Sequence, residues 1–254
     1  MNVTQPVKLR ERKEHFGTWL SIGSPVIAEI AAQSSFDWLL FDLEHGCGSE
    51  DGLFAQLQAI RGTGVAAIVR VGAPHPDLIL RVLDRGADGL MIPHVSSAAE
   101  AEACVQAAYY PPRGRRGVSR SVRACGYGLR PDRTPGNAPP PIIMAQIETM
   151  EGVEMSREIA MVDGIDVLFV GPADLQFDLS VRAEKGARDY ETCLREVASA
   201  AADAGKQCGI LIREAAGIGR FQDLGFTILA VDSDIAILRD HYQALLARNL
   251  NSRA

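Results

Sequence analysis

DWLLFDLEHG, residues Asp37 to Gly46, is an apolar run that stops in charge. Trp38 to Phe41 is too short and too continuously apolar for the one-sided stripe of a surface helix. It suits a strand covered on both faces, as in a parallel sheet between helices. Yet Glu44 and His45 follow it at once. The pattern recurs along the chain: Arg70 follows AAIV, Gln146 and Glu148 close PIIMAQIE, and Asp174 follows VLFVGPA. Ionisable groups at the ends of buried strands lie where β/α barrels build their sites.

Working outward from that stretch, apolar runs predict strands over 18–23, 37–45, 66–71, 89–95, 142–148, 167–170, 207–212 and 226–231. Helical patterns over 25–33, 50–61, 76–84, 98–109, 151–161, 190–204, 215–224 and 235–248 alternate with them. Ser24 and Ser49 stand where helix N-caps belong, Pro25 fits a first turn, and Gly86 a helix end. A short charged N-terminal helix is expected over 6–14, and irregular loops over 110–141 and 171–186. Eight alternations in 254 residues predict an α/β fold: one (β/α)8 TIM barrel over the whole chain. An open doubly wound sheet fits less well, because no GxGxxG follows the first strand.

The net charge of −6, with no basic stretch interleaved with aromatics, argues against nucleic-acid binding. The arginines of PPRGRRGVSRSVR, Pro111 to Arg123, sit in a Gly- and Pro-rich loop. No apolar run is long enough for a membrane span, and the first residues lack a signal core, so a cytoplasmic protein is expected. Five widely spaced cysteines without a CxxC pair favour free thiols. Cys47 lies beside the proposed site, but a nucleophile there would need a base.

Gln146 and Glu148, two apart on a strand, share a face. Glu148 and Asp174 then come from neighbouring strands. Two carboxylates so placed either hold a hard divalent cation that keeps water or substrate oxygens, or are surface or ion-paired carboxylates. Arg70 can grip a substrate carboxylate or pair with Asp42 or Glu44. His45 is either an acid/base or a loop cap at Gly46. His94 in IPHV is either an extra polar contact or a histidine bonded to backbone. Lys8, Lys13, Lys185 and Lys206 all lie away from strand ends, so no lysine is placed for imine chemistry.

FDLEHG (Phe41–Gly46), VRVG (Val69–Gly72), YYPPRGRRGV (Tyr109–Val118), QIET (Gln146–Thr149) and VGPADL (Val170–Leu175) occur in that order. Together they resemble the HpcH/HpaI family of metal-dependent pyruvate aldolases, from Gly17 to about Leu246. Familiar members cleave 4-hydroxy-2-oxoheptane-1,7-dioate, 2-dehydro-3-deoxyglucarate or 2-keto-3-deoxyrhamnonate. The resemblance implies reversible cleavage of a 4-hydroxy-2-oxo acid to pyruvate and an aldehyde, through a pyruvate enolate stabilised by Mg2+, Mn2+ or Co2+. It makes Glu148 and Asp174 the metal carboxylates. Arg70, Gln146, Ala173 and Asp174 become substrate contacts, and His45 the acid/base. It also pairs His45 with Asp84, although Asp84 ends a helix that should point away from the site; contact across a subunit boundary would reconcile the two. Ile212, Arg213, Asp232, Ser233 and the Arg116–Arg123 segment are expected to shape the aldehyde pocket. The only partners implied are the small-molecule substrate and further copies of the chain, as a hexamer or another homo-oligomer. A related lyase or oxaloacetate decarboxylase, or a silent barrel that binds a 2-oxo acid, are the competing readings.

Overall fold

A computed structural model describes residues 9–130, 134, 137, 139–182, 188–214 and 217–251. Eight parallel strands close into a barrel in sequence order. They are β1 His15–Leu20, β2 Trp38–Asp42, β3 Ala66–Arg70, β4 Gly89–Ile92, β5 Ile142–Ile147, β6 Val167–Val170, β7 Gln207–Ile212 and β8 Ile228–Ser233. The intervening helices are α1 Pro25–Ala32, α2 Glu50–Ala59, α3 Pro76–Asp84, α4 Ala98–Ala108, α5 Met150–Glu154, α6 Ser156–Met161, α7 Pro172–Val181, α8 Tyr190–Asp203, α9 Ile218–Asp223 and α10 Asp234–Asn251. Ser24 and Ser49 cap α1 and α2 through their side chains.

Period-two alternation divides each strand between two cores. Leu39, Phe41, Ala67, Val69, Ala145 and Ile147 face the helices and join the outer core. Trp38, Leu40, Ala66, Ile68, Ile142, Met144, Val167 and Phe169 fill the barrel interior. One step further along the interior rows of β2, β3 and β5 stand Asp42, Arg70 and Gln146, all buried. The interior is therefore apolar for most of its depth and polar at its carboxyl end. Each helix runs back against its strand, so helix N-termini gather at that same end.

Several expectations change. The helix expected over 6–14 is not formed by the described part of that segment: only Leu9 and Arg10 make a 3-10 turn, and 6–8 lie outside the described residues. Leu9 instead plugs the amino end of the barrel and accepts a hydrogen bond from the Gln207 side chain. Arg10 holds the turn through Asp166 and the Pro141 carbonyl. β1 starts at His15 because His15 to Gly17 pair with β8 ahead of a register shift between Gly17 and Trp19. The 151–161 helix breaks at Met155 into α5 and α6. The loop expected over 171–186 is largely helix α7, with Pro172 in its first turn and Leu175 and Leu179 buried one turn apart. A Gly-Pro pair that reads as a loop is here an N-cap followed by a first-turn proline.

Trp38 packs edge-on to Phe169 at 6.1 Å between ring centroids. It does so only because Gly17 has no side chain: a Cβ there would lie 2.3 Å from the indole. Gly17→Ala should therefore overpack the interior and cost about 1–3 kcal/mol. The measurement is a urea melt, with a lower midpoint and an unchanged slope expected.

Candidate functional site

Asp42 and Arg70 are opposite one another on β2 and β3. The guanidinium donates from Nε to Asp42 Oδ1 at 2.9 Å and from Nη2 to Asp42 Oδ2 at 2.7 Å. Its Nη1 lies 2.9 Å from Glu44 Oε2, and it sits 5.3 Å from the Trp19 ring centroid. Both ion-pair alternatives open in the sequence are thus realised at once. Burial raises the Asp42 carboxyl, but the Arg70 bonds and charge, with the N–H groups of Glu44 and His45, hold it below its ordinary value. Those two N–H groups, at 3.0 and 3.3 Å from Oδ1, also fix the chain as it leaves β2.

Glu148, one residue beyond β5, is 2% exposed. Its Oε1 accepts the His94 backbone N–H at 2.7 Å and lies 3.0 Å from His94 Nδ1. Its Oε2 accepts the Gln146 amide. His94 Nε2 is 3.4 Å from Glu44 Oε1. A continuous polar chain therefore runs from Asp42 through Arg70, Glu44, His94 and Glu148 to Gln146. His94 is bonded to carboxylates as well as through its backbone, at a left-handed φ of 55°.

Asp174 lies exposed in the first turn of α7. Burial pushes the Glu148 carboxyl up; the N–H and imidazole of His94 oppose this, while the charges of Asp174 and Glu44 push it further up. Gly171, the N-cap of α7, makes this closeness possible, since a Cβ there would stand 2.5 Å from Glu148 Oε2. No side chain caps α7, and Pro172 has no N–H, so the amides of Ala173 and Asp174 open the helix. His45 is largely exposed on the loop after β2, its Nε2 3.9 Å from Glu44 Oε1.

The donor set suits a hard divalent cation. It is oxygen-rich, and the clustered carboxylates lack enough positive charge nearby. One buried acceptor, Gln146 Oε1, has no hydrogen-bond partner, while Glu44 Oε2 is engaged by the charge of Arg70. Among the described residues no three His, Cys, Asp or Glu side chains already close around a point. That leaves coordination positions to substrate and water.

Other expected residues are elsewhere. Asp84 is at the C-terminal end of α3, bound to Arg116 Nη2 at 2.7 Å, and within one chain it is not brought to His45. Arg116 also stacks on Tyr110, 4.5 Å from its ring centroid. Arg123 donates to the carbonyls of Arg85 and Leu57, just past the end of α3 and inside the last turn of α2. The Arg116–Arg123 segment thus does not shape a pocket at the mouth of its own barrel; helix ends at the opposite face engage it. Arg213 and Asp232 do meet beyond β7 and in β8, at 3.9 Å. Lys206 donates to the Ile165 carbonyl and Lys13 pairs with Glu11, so neither described lysine serves the mouth. The bridging role of Glu44 and the Trp19 floor beneath Arg70 were missed in the sequence. The signal for Asp42 was present: it continues the Trp38, Leu40 interior row.

A closed barrel whose carboxyl end gathers acids, an arginine and histidines places its polar groups where β/α-barrel enzymes build their active sites. Residues 15–240 match the family model described as HpcH/HpaI aldolase/citrate lyase. The chain is 38% identical over 251 residues to the hydroxypyruvate/pyruvate aldolase of Paraburkholderia phytofirmans, covering 95% of this chain and 96% of that protein. It is 35% identical to the 5-keto-4-deoxy-D-glucarate aldolase of Salmonella arizonae, covering 94% and 93%. A HpcH/HpaI family crystal structure from Burkholderia cenocepacia superposes with a TM-score of 0.88 at 33% identity, covering 96% and 98%. This chain belongs to the HpcH/HpaI aldolase/citrate lyase family and is a carbon–carbon lyase.

The raised Glu148 carboxyl sets a sign for stability. A carboxyl raised in the fold favours folding while protonated, below its ordinary value of 4.5, and that contribution is lost as pH rises through the raised value. Glu148→Gln should therefore stabilise the metal-free protein at pH 7, by roughly 2–4 °C for about 1 kcal/mol. The gain should fade as the pH approaches 4. Thermal melts of both proteins at the two pH values check this; a gain independent of pH would contradict it.

Proposed function

We propose that the chain is a divalent-cation-dependent aldolase that reversibly cleaves a 4-hydroxy-2-oxo acid to pyruvate and an aldehyde. The observation that carries this reading is the buried, charge-crowded Glu148, cupped by Gln146 and Gly171 beside the open N-terminus of α7. Two of the relatives named above are aldolases by name, for hydroxypyruvate/pyruvate and for 5-keto-4-deoxy-D-glucarate.

In this reading Glu148 and Asp174 hold Mg2+, Mn2+ or Co2+. Bound there, the cation supplies Lewis-acid polarisation of the 2-oxo group. The amides of Ala173 and Asp174 receive the substrate carboxylate, where a helix N-terminus favours negative charge. Gln146 orients Glu148. Asp42 takes two of the five N–H groups of Arg70 and Glu44 lies against Nη1, and an N–H that neither acid engages serves the 2-oxo oxygen as negative charge develops on it. His45 accepts the 4-hydroxyl proton. The C3–C4 electron pair then moves toward C3 and the 2-oxo oxygen, the aldehyde departs, and a proton returned to C3 gives pyruvate. Pairing of His45 with Asp84 requires Asp84 from a second copy, which makes a homo-oligomer part of the proposal.

The test is deuterium exchange into the methyl group of pyruvate in D2O. Exchange that depends on Mg2+ or Mn2+ is expected; its absence would leave a silent binding barrel. A panel of aldehydes then separates aldol addition from simple decarboxylation. His45→Ala and Glu148→Ala should each lower turnover by about a hundredfold. For Arg70 the informative change is Arg70→Lys. Arg70→Ala would leave two buried acids without their partner, at a cost of about 3–5 kcal/mol.

A further inference from the structure

We propose that Asp234, the first residue of α10, is a positioning residue for His45: acting through Ser21, it fixes the loop that carries the proposed acid/base. The inference rests on the role of His45 in the proposed reaction and adds the part of the fold that holds it in place.

His45 is not anchored by its own side chain. The imidazole is largely exposed, with Nε2 3.9 Å from Glu44 Oε1, too far for a hydrogen bond. The backbone is held on both sides instead. The N–H groups of Glu44 and His45 donate to Asp42 Oδ1 at 3.0 and 3.3 Å. Beyond His45, the Cys47 N–H donates to the Ser21 carbonyl at 2.7 Å. Ser21 Oγ donates to Asp42 Oδ2 at 3.4 Å, so the two anchors are joined. The loop between them has no slack. A Cβ on Gly46 would stand 2.2 Å from the Asp42 carbonyl oxygen and 3.1 Å from that of Ser21.

Ser21 lies one residue past the end of β1, and Asp234 grips the chain there. Asp234 Oδ1 accepts the Ser21 N–H at 2.9 Å, and Oδ2 accepts the Ile22 N–H at 3.1 Å. Two oxygens on consecutive amides fix the direction of the chain as well as its place, and an ionised acceptor makes the stronger hydrogen bonds. Asp234 is 5% exposed. Oδ1 also takes the Ile235 N–H at 2.8 Å, but α10 has its N-cap bond elsewhere: Ser233 Oγ accepts the Ala236 N–H at 3.3 Å. A helix already capped therefore keeps a buried acid whose other bonds reach the neighbouring loop. Hydrogen bonds run from α10 to the exit of β1 and on to the loop after β2. A displaced Ser21 carbonyl would carry the Cys47 end of that loop, and His45 with it. A misplacement of about 1 Å from a change remote from the chemistry can cost on the order of a hundredfold.

Two variants test this. Asp234→Asn keeps the shape and one acceptor but turns an NH2 group on the Ser21 or Ile22 N–H. Asp234→Ser keeps a single shorter acceptor. Both leave the Ser233 cap in place. With Mn2+-loaded protein and 4-hydroxy-2-oxopentanoate as probe, kcat should fall by about tenfold or more in each. KM should stay within about threefold, because the proposed substrate contacts lie on other elements. In a His45→Ala background either substitution should cost no more than about twofold, since there is no base left to position. Amide hydrogen exchange gives a readout free of substrate. The Cys47 N–H should exchange about tenfold or more faster in each variant, while the Val95 N–H, bonded to the Gln146 carbonyl at 3.1 Å, keeps its rate. Unchanged kcat in both variants, an equal loss with and without His45, or unchanged protection at Cys47 would each overturn the positioning role. Absence of turnover in wild type would overturn the proposed function instead, and faster exchange at Cys47 would still establish the link from Asp234 to the loop.

Discussion

A guanidinium and two carboxylates, withdrawn from water at the top of the barrel interior, organise the mouth of this protein. Arg70 and Asp42 face each other on adjacent strands and meet through two hydrogen bonds. Ions in such a place are tolerated only in good geometry and with their remaining valences engaged. Glu44 takes the third side of the guanidinium and Trp19 its face. Because Arg70 holds Glu44, Glu44 can hold His94, and His94 can hold Glu148. The placement of a residue on β5 thus depends on a pair spanning β2 and β3.

Charge is not balanced along that chain. Asp42, Glu44, Glu148 and Asp174 are acids, and Arg70 is the strong base set among them. Gln146 offers Glu148 a neutral amide, and the acid of Asp174 makes its ionisation harder. A fold optimised for stability alone would not bury Glu148 beside like charge. Functional sites are where such crowding is kept, because a positively charged ligand relieves it. Gly171 shows how tightly the arrangement is drawn, since even a methyl group would collide with the Glu148 carboxylate.

The barrel was legible because its signals are local. Apolar runs repeat eight times between helical patterns, Ser24 and Ser49 cap two of the helices, and each signal reads without knowledge of its neighbours. Errors fell where local chemistry has two meanings. Gly171-Pro172 marks a loop in one context and a helix entry in another, and only the burial of Leu175 and Leu179 decides between them. Arg10 and Leu9 lie in a charged, helix-compatible segment, but Leu9 is buried among the side chains of the barrel interior, and burying an apolar side chain favours that placement. In the site, Glu148, Gln146, Asp174 and Arg70 were visible as charged ends of apolar strands. Asp84 was named through family resemblance, and its place on α3 beside Arg116 answers to packing between distant segments.

The sequence by itself determined the alternation of strand and helix and the end of the barrel where charge collects. These follow from periodicity and residue type, which act over a few positions along the chain. Only the tertiary structure decided which charges meet: that Arg70 binds both Asp42 and Glu44, that His94 bridges Glu44 and Glu148, and that Arg116 and Arg123 serve helix ends rather than the mouth. Electrostatic contacts depend on distances of about 3 Å between residues tens of positions apart, and closing the barrel is what sets those distances.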